Sequence, residues 1–316
     1  MRISSLSQQQ LLLDRLLVTK QTNGQLQQQV STGLKSQNLQ GLARESNALL
    51  GSKAAASRLD AYMQSNRELQ IRLEIQNTAL GSIAEVADDL RQDLISTVNL
   101  NSSVGFITKI EDTLDRLINL VNTTHAGKFV FGGTRTEQEP INISNTAELL
   151  ALPTTADAFD NNTLKATQLV DDNRQLEFGQ LANEIAEPLL DSIRRILQFH
   201  NGTLPAGAGA FTPAGAFQDP LTANQRDFLI SEFGNADTAI TTARDAEATN
   251  GVDLGTIDKL LLRQESDRSF LLGFISDIEN VDIAEAISNL QNSETALNAS
   301  IQVLSRLNQI SLLNFL

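Results

Sequence analysis

Residues 279–316 (ENVDIAEAISNLQNSETALNASIQVLSRLNQISLLNFL) constrain the fold more than any other stretch. Ile283, Ile287, Leu290, Glu294, Leu297, Ile301, Leu304, Asn308 and Ser311 step by four and three alternately, the spacing of a coiled-coil seam. Glu294 and Asn308 are polar breaks of the kind that set register in such seams. No Pro or Gly interrupts the run. A stripe like this is not satisfied in water by one helix, because helical stability comes mainly from packing an apolar face. It requires a partner.

The first fifty residues offer one. Leu12, Leu16, Thr19, Asn23, Leu26, Val30 and Gly33 repeat the alternation, set among glutamines that favour helix and keep a solvated tip. The charges are opposed: residues 1–50 hold five cations against two anions, residues 281–316 one cation against three anions. The two ends are therefore expected to pair, with each other, with copies of themselves, or both. Exposed ion pairs add only about 0–1 kcal/mol each to such pairing.

Composition narrows the rest. Hydrophobic residues make up 41% of the 316, so a core can form, yet aromatics are 4% and Trp is absent. Leu, Ile, Val and Ala must fill that core, which suits helix-on-helix seams. Without cysteine there is no disulfide framework, thiolate metal site or thiol nucleophile. A net charge of −14 argues against nucleic-acid binding, which needs clustered Lys and Arg. The apolar run Leu11–Leu13 is cut by Asp14 and Arg15, too short and charged for a secretory h-region. No stretch approaches the ~18 apolar residues of a membrane span. Export, if it occurs, is expected to use a route without a cleaved Sec signal.

Five segments follow from the pattern. Residues 1–41 form an N-terminal coiled-coil segment that loosens into a joint at Lys35–Gly41. Residues 42–133 form the N-terminal half of the helical bundle: Leu42 to about Val98 reads as helix broken only by Gly51 and Gly81, with Leu69, Leu73, Gln76, Leu80, Ile83, Ala87, Leu90 and Leu94 on one stripe. Asn99–Ser103 punctuates the run with Ser103 as a possible N-cap, and Ile107, Ile110, Leu114, Leu117 and Val121 make a second helical face. Residues 134–180 read as a small β insert, entered through KFVFGGTRTEQEPINI, with 144–161 polar and loop-like and a hairpin turning at Asp171–Asn173. Residues 181–281 return to helix: Leu181–His200, a Gly/Pro-rich surface excursion at 202–220, Leu221–Asn250, a turn at Asn250–Gly251, and a seam of Ile257, Leu261, Gln264, Leu271, Ile275 and Ile278. That helix leads straight into the coiled-coil segment 282–316. The expected fold is mainly α: an elongated antiparallel helical bundle with coiled-coil terminal helices and a small inserted β module.

Chemistry is poorly represented. His125 and His200 have no neighbouring His or Cys and suit surface or helix-capping roles. Asp171 and Asp172 with Asp157 and Asp160 match no Ca²⁺-loop spacing and fit turns. Gly132–Gly133 lacks the GxxxxGK[ST] pattern of a phosphate loop, with Arg135 a lone cation, and reads as a turn. No GxSxG, HExxH or CxxC occurs. No enzyme, metal or cofactor is expected.

Three segments carry a family resemblance. MRISSLSQQQ and LQQQVSTGLKSQNLQG (Leu26–Gly41) resemble the N-terminal signature of the flagellin superfamily, and more narrowly of flagellar hook-associated protein 3, the hook–filament junction or FlgL family. GKFVFGGTRTEQEP (Gly127–Pro140) resembles its Gly-x-(Tyr/Phe)-x-Phe-x-Gly-Thr-x-Thr segment. VDIAEAISNL, ALNAS and SLLNFL cover its C-terminal signature. Residues 144–280 resemble the family only in outline, and Gly41–Glu45 (GLARE) replaces its usual Asp-Asp-Pro step.

The resemblance implies an exported structural subunit, located extracellularly in the flagellum, that adapts the hook to the filament. It implies contacts with the first junction protein and flagellin, self-association in a ring or helical layer, and type III export with a chaperone on the C-terminal helix. Terminal helices disordered in free monomers, a laterally packed bundle and an outward-facing insert belong to the same expectation. On the seam itself, Leu12, Leu16, Leu26, Val30, Ile287, Leu290, Leu297, Ile301 and Leu304 are the candidate assembly residues. Two other classes share parts of the pattern: a flagellin filament subunit, and a cytoplasmic coiled-coil scaffold, which predicts stably helical ends in the isolated protein.

Overall fold

The computed structural model describes residues 2–38, 42, 45–205, 211 and 215–313. Among them are eight α-helices: α1 (Arg2–Thr32), α2 (Ser46–Leu100), α3 (Phe106–Val121), α4 (Thr146–Ala151), α5 (Ala182–His200), α6 (Ala223–Ser231), α7 (Phe233–Glu279) and α8 (Ile283–Leu313). Two antiparallel hairpins complete the fold: β1 (Thr124–His125) with β2 (Lys128–Phe129), and β3 (Ala166–Asp171) with β4 (Arg174–Phe178). The protein is thus mainly α with a small β module. It divides into two compact units, Met1–Asp60 with Ser266–Leu316, and Ala61–Glu265.

In the larger unit α2 and α7 run antiparallel. Arg91 pairs with Asp237 (2.6 Å), Gln70 Nε2 donates to Asp258 (2.8 Å), and Arg67 reaches Glu265 (3.6 Å). Every residue of the predicted stripe from Leu69 to Leu94 is buried, Gln76 included. The four-three spacing puts them on one face of a continuous helix, and α3, α5 and α6 cover the remaining apolar surface. Phe199 and Phe228 stack at 4.0 Å within that core, and Phe106 meets Phe217 edge-on at 5.5 Å.

Several boundaries differ from the sequence reading. Helix α2 starts at Ser46 rather than Leu42 and passes through Gly51 and Gly81 without a break. Asn250–Gly251 is no turn. It lies inside α7, where buried Asn250 donates through Nδ2 to Leu73 O at 2.8 Å, so a tertiary bond outweighs the local turn preference. Ser103 does not cap α3. Gly105 occupies the N-cap, and Ser103 Oγ donates instead to Gln218 O (3.0 Å). Within 144–161 stand α4, capped by Asn145 with Glu148, and a 3₁₀ turn at Thr155–Ala158 held by the Thr154/Asp157 capping box. The 202–220 excursion is tied down where it is described: Leu204 is buried, and Phe211 and Phe217 pack on the core. Its residues 206–210 and 212–214 lie outside the described part. Finally, α7 and α8 are not continuous. Asn280 to Asp282 separate them.

Candidate assembly interface

The smaller unit is organised around that break. Gly33, at φ +74°, ends α1 in the left-handed conformation that glycine tolerates best. The chain then meets the end of α7: Lys35 N–H donates to Glu279 O (2.7 Å), Val281 N–H to Gly33 O (2.9 Å), and Leu34 bridges Asn280 antiparallel. Lys35 Nζ donates to Asp277 O and Lys53 pairs with Glu279, each at 2.5 Å. Leu42, Leu49 and Ile278 close a small apolar cluster with Ile275. This joint sends α8 back along α1, and the two helices pack against each other within one chain.

On α1 the sheltered positions include Leu12, Leu16, Thr19, Asn23, Leu26 and Val30, the stripe read from the sequence, together with Gln29 beside Val30. On α8 they are Ala286, Leu290, Ser293, Leu297, Ser300 and Leu304. Counted outward from the joint, the two series fall level: Val30 with Ala286, Leu26 with Leu290, Asn23 with Ser293, Thr19 with Leu297, Leu16 with Ser300, and Leu12 with Leu304.

Half of the predicted α8 seam therefore faces elsewhere. Leu290, Leu297 and Leu304 turn inward. Ile287 (41% exposed) and Ile301 (50%) do not, nor do Ile283 and Glu294. The apolar face of α8 is wider than one neighbouring helix covers, so its inner stripe takes small residues while an outer stripe stays open. Ala286, Ser293 and Ser300 escaped sequence reading because small and hydroxyl residues add little to a hydrophobic period. Their seven-residue repeat beside Leu290, Leu297 and Leu304 is the signal that marks them. On α1, Leu11, Leu17 and Val18 are likewise exposed. The side chains of Asn308 and Ser311 lie outside the described part.

In the larger unit the β module is stapled to the helices by buried amides. Val170 O, on β3, accepts from Asn66 Nδ2 (2.9 Å) and Gln264 Nε2 (3.0 Å), and Asn66 Nδ2 also reaches Gln264 Oε1 (3.0 Å). Gln76 Nε2 donates to Val130 O (2.5 Å), and the Arg72 guanidinium lies 5.3 Å from the Phe178 ring centre. Burial lowers the Arg72 pKa. At Gly133, φ +65°, an added Cβ would come within 2.6 Å of Leu164 O and Asn162 Oδ1. The Gly132–Gly133 turn is close-packed against protein.

The polar residues weighed as ligands are engaged separately. Asp171 pairs with Arg263, Asp157 accepts from Thr154 N–H (2.8 Å), and Asp160 accepts from Asn142 Nδ2 (3.1 Å). His200 is the last residue of α5. Its Nδ1 accepts the Phe217 N–H at 3.1 Å, and burial lowers its pKa, opposed by the charge of Glu111. His125 sits half-buried in β1. Fully buried Glu232, in the link between α6 and α7, accepts from Asn235 Nδ2 (2.7 Å) and pairs with Arg195 (3.0 Å). Burial raises its pKa against the pull of Asn235 and Arg195.

Residues 234–316, which hold most of α7 and all of α8, match the family model of the bacterial flagellin C-terminal helical region. No curated protein matches the chain. Among solved structures, a proposed flagellar hook-associated protein from Vibrio parahaemolyticus is similar in fold. It is 17% identical with a TM-score of 0.59, over 76% of this chain and 100% of that one. FlgL from Bacillus cereus is similar at 12% identity and a TM-score of 0.52, over 72% and 99% of the two chains. The chain thus has the fold of these flagellar hook-associated proteins, and its residues 234–316 match the flagellin C-terminal helical region.

Proposed function

We propose that this chain is a structural, non-catalytic subunit of the bacterial flagellum that joins the hook to the flagellin filament and assembles through its terminal helices. The observation that carries the proposal is the flagellin-type C-terminal region ending in a helix that pairs with α1 and keeps a second apolar stripe exposed. Buried apolar area contributes roughly 25 cal/mol per Å². The exposed Ile283, Ile287 and Ile301, with Leu11, Leu17 and Val18, are therefore groups on the terminal helices that gain from burial against neighbouring subunits. In this reading residues 1–41 and 282–316 are the assembling segments, with Leu12, Leu16, Leu26, Val30, Leu290, Leu297 and Leu304 closing each subunit's helix pair and Ile287 and Ile301 reaching outward. Residues 42–133 and 181–281 form the supporting bundle, and 134–180 is the insert.

The partners that follow are the first hook–filament junction protein on one side, flagellin on the other, further copies in a ring or helical layer, and an export chaperone on the C-terminal helix. The location is the flagellum outside the cell, reached without a cleaved signal. Leu297→Asp and Leu304→Asp test the proposal, since a carboxylate in the seam costs several kcal/mol unless it is paired. Both variants should keep the larger unit folded by circular dichroism and fail to join filament to hook. Normal incorporation would remove the seam from the mechanism, and a Leu297 variant that is retained in the cell would point to the chaperone contact. The flagellin C-terminal match also favours a second reading, a filament subunit, which differs in abundance rather than in fold.

A further inference from the structure

We infer that His200 is an acid-sensitive latch: its neutral imidazole holds residues 215–221 as a strap over the aromatic end of the helical core, and protonation releases them. The inference does not rest on the flagellar role. Phe217 is the residue the latch holds. Its ring lies 5.5 Å from Phe106, edge-on, 5.6 Å from Phe199 and 5.4 Å from the His200 ring. With Phe217 in place Phe106 and Phe199 are 1% and 0% exposed, so its departure uncovers apolar ring surface. The Phe217 backbone N–H donates to His200 Nδ1 at 3.1 Å. The flanking bonds come from groups that do not titrate. Ser103 Oγ donates to Gln218 O (3.0 Å), and buried Gln225 donates through Nε2 to Ala216 O (3.0 Å) and accepts at Oε1 from Gln218 N–H (3.1 Å). Among the described residues, His200 is the holding group that changes its charge near neutral pH.

A nitrogen that accepts carries no proton, so the neutral ring bears its hydrogen on Nε2. Protonation makes Nδ1 a donor facing the Phe217 N–H. That N–H then has no acceptor, and a charge sits on a half-buried ring packed against Phe217. The same linkage lowers the His200 pKa in the folded chain, where burial disfavours the charged ring. The charged groups on the elements packed there are Lys109 and Glu111 on α3, Asp219 beside the strap, Arg226 and Asp227 on α6, and Arg194 and Arg195 on α5 itself. Lys109 is paired with Asp93, Arg194 donates to Leu152 O and Pro153 O, and Arg195 is paired with Glu232. Glu111 is the charge that acts on the imidazole, and it opposes the effect of burial. Because the latched ring holds its proton less tightly than a free one, latching is strongest above the ordinary value of about 6.5. It weakens as pH falls from there through the lower, latched value, by at most about tenfold per pH unit.

Hydrogen exchange on the full-length protein, read as protection relative to the intrinsic rate at each pH, tests the latch. Between pH 7.5 and 5.5 the Phe217 amide should lose protection about three- to tenfold, while amides on the Leu80–Leu94 face of α2 keep theirs. His200→Asn presents an acceptor oxygen that does not titrate and should flatten the profile. A second measurement needs no substitution. The chain has two histidines, so their imidazole signals are readily told apart by NMR, and the Phe217 amide shift should titrate with His200 rather than with His125. Constant protection in the wild-type chain, or an equal fall in His200→Asn, would overturn the inference. So would a Phe217 amide that fails to follow the His200 ring, or a loss of protection shared by α2, which would mark general unfolding rather than release of the strap.

Discussion

Replacing Asn66 by Ala gives the most quantitative test of how the β module is held. Asn66 is fully buried and its Nδ2 serves two acceptors, Val170 O at 2.9 Å and Gln264 Oε1 at 3.0 Å. After truncation Val170 O keeps Gln264 Nε2 at 3.0 Å, but Gln264 Oε1 loses its donor in a site that is itself 1% exposed. One orphaned buried acceptor costs about 1–3 kcal/mol, and loss of side-chain volume adds a smaller packing term. A destabilisation of about 2–3 kcal/mol is expected. In a unit of this size each kcal/mol shifts Tm by about 2–4 °C, so the thermal midpoint should fall by about 4–12 °C. Calorimetry measures the midpoint, and hydrogen exchange locates the effect: protection of β3–β4 amides should drop roughly 30- to 150-fold, at about 1.4 kcal/mol per decade. Gln264→Leu in the Asn66→Ala background should cost less than it does alone, since the partners couple by about 0.5–3 kcal/mol. Unchanged exchange in β3–β4 with a midpoint within about 1 °C would refute the staple.

Other consequences can be measured with the same protein. His200 has a lowered pKa in the folded chain, so the unfolded state binds its proton more readily. The stability it supports is present above the ordinary value of about 6.5 and is lost as pH falls through the lower folded value, since protonation removes the acceptor for Phe217 N–H. Thermal midpoints from pH 7.5 to 5 should therefore fall less steeply in His200→Gln; equal slopes would contradict this. Glu232→Ala should cost about 2–4 kcal/mol in urea unfolding by leaving Arg195 without its carboxylate in a mostly buried site, while Glu232→Gln should cost less because it keeps a partner for Asn235. The sign of the Glu232 pKa adds a second check. A raised value means the folded state holds this proton more tightly, so its contribution is fully present at low pH and declines as pH rises through the folded value. Ile287→Ser and Ile301→Ser, both on the exposed stripe, should leave monomer stability within about 0.5 kcal/mol and yet weaken incorporation into flagella.

Long periodic runs were the most legible part of the chain. The stripe Leu69–Leu94 and the α1 stripe from Leu12 to Val30 are sheltered residue for residue, because four-three spacing keeps such residues on one face of a helix. Legibility failed where local chemistry and tertiary contact disagreed. Asn250–Gly251 has the composition of a turn, but the Leu73 carbonyl holds Asn250 within a helix. Ser103 looks like a cap, but loop carbonyls take its hydroxyl. Asn145 and Glu148 stand at the capping spacing that starts the short helix Thr146–Ala151, inside a polar stretch whose composition reads as loop. On α8, Leu290, Leu297 and Leu304 are sheltered while Ile283, Ile287 and Ile301 are exposed, since period alone does not tell an inner stripe from an adjoining outer one. The buried amides Asn66 and Gln264 left no trace of their role in the sequence, because what they bind is a strand carbonyl far along the chain.

The central claim is that this chain sits where hook meets filament. Quantitative mass spectrometry of intact flagella, comparing sheared filaments with hook-containing preparations, tests it most directly. The account predicts a protein scarce overall and enriched at the hook end. A chain that dominates the sheared filament would be a flagellin, and one absent from both fractions would contradict a flagellar role altogether.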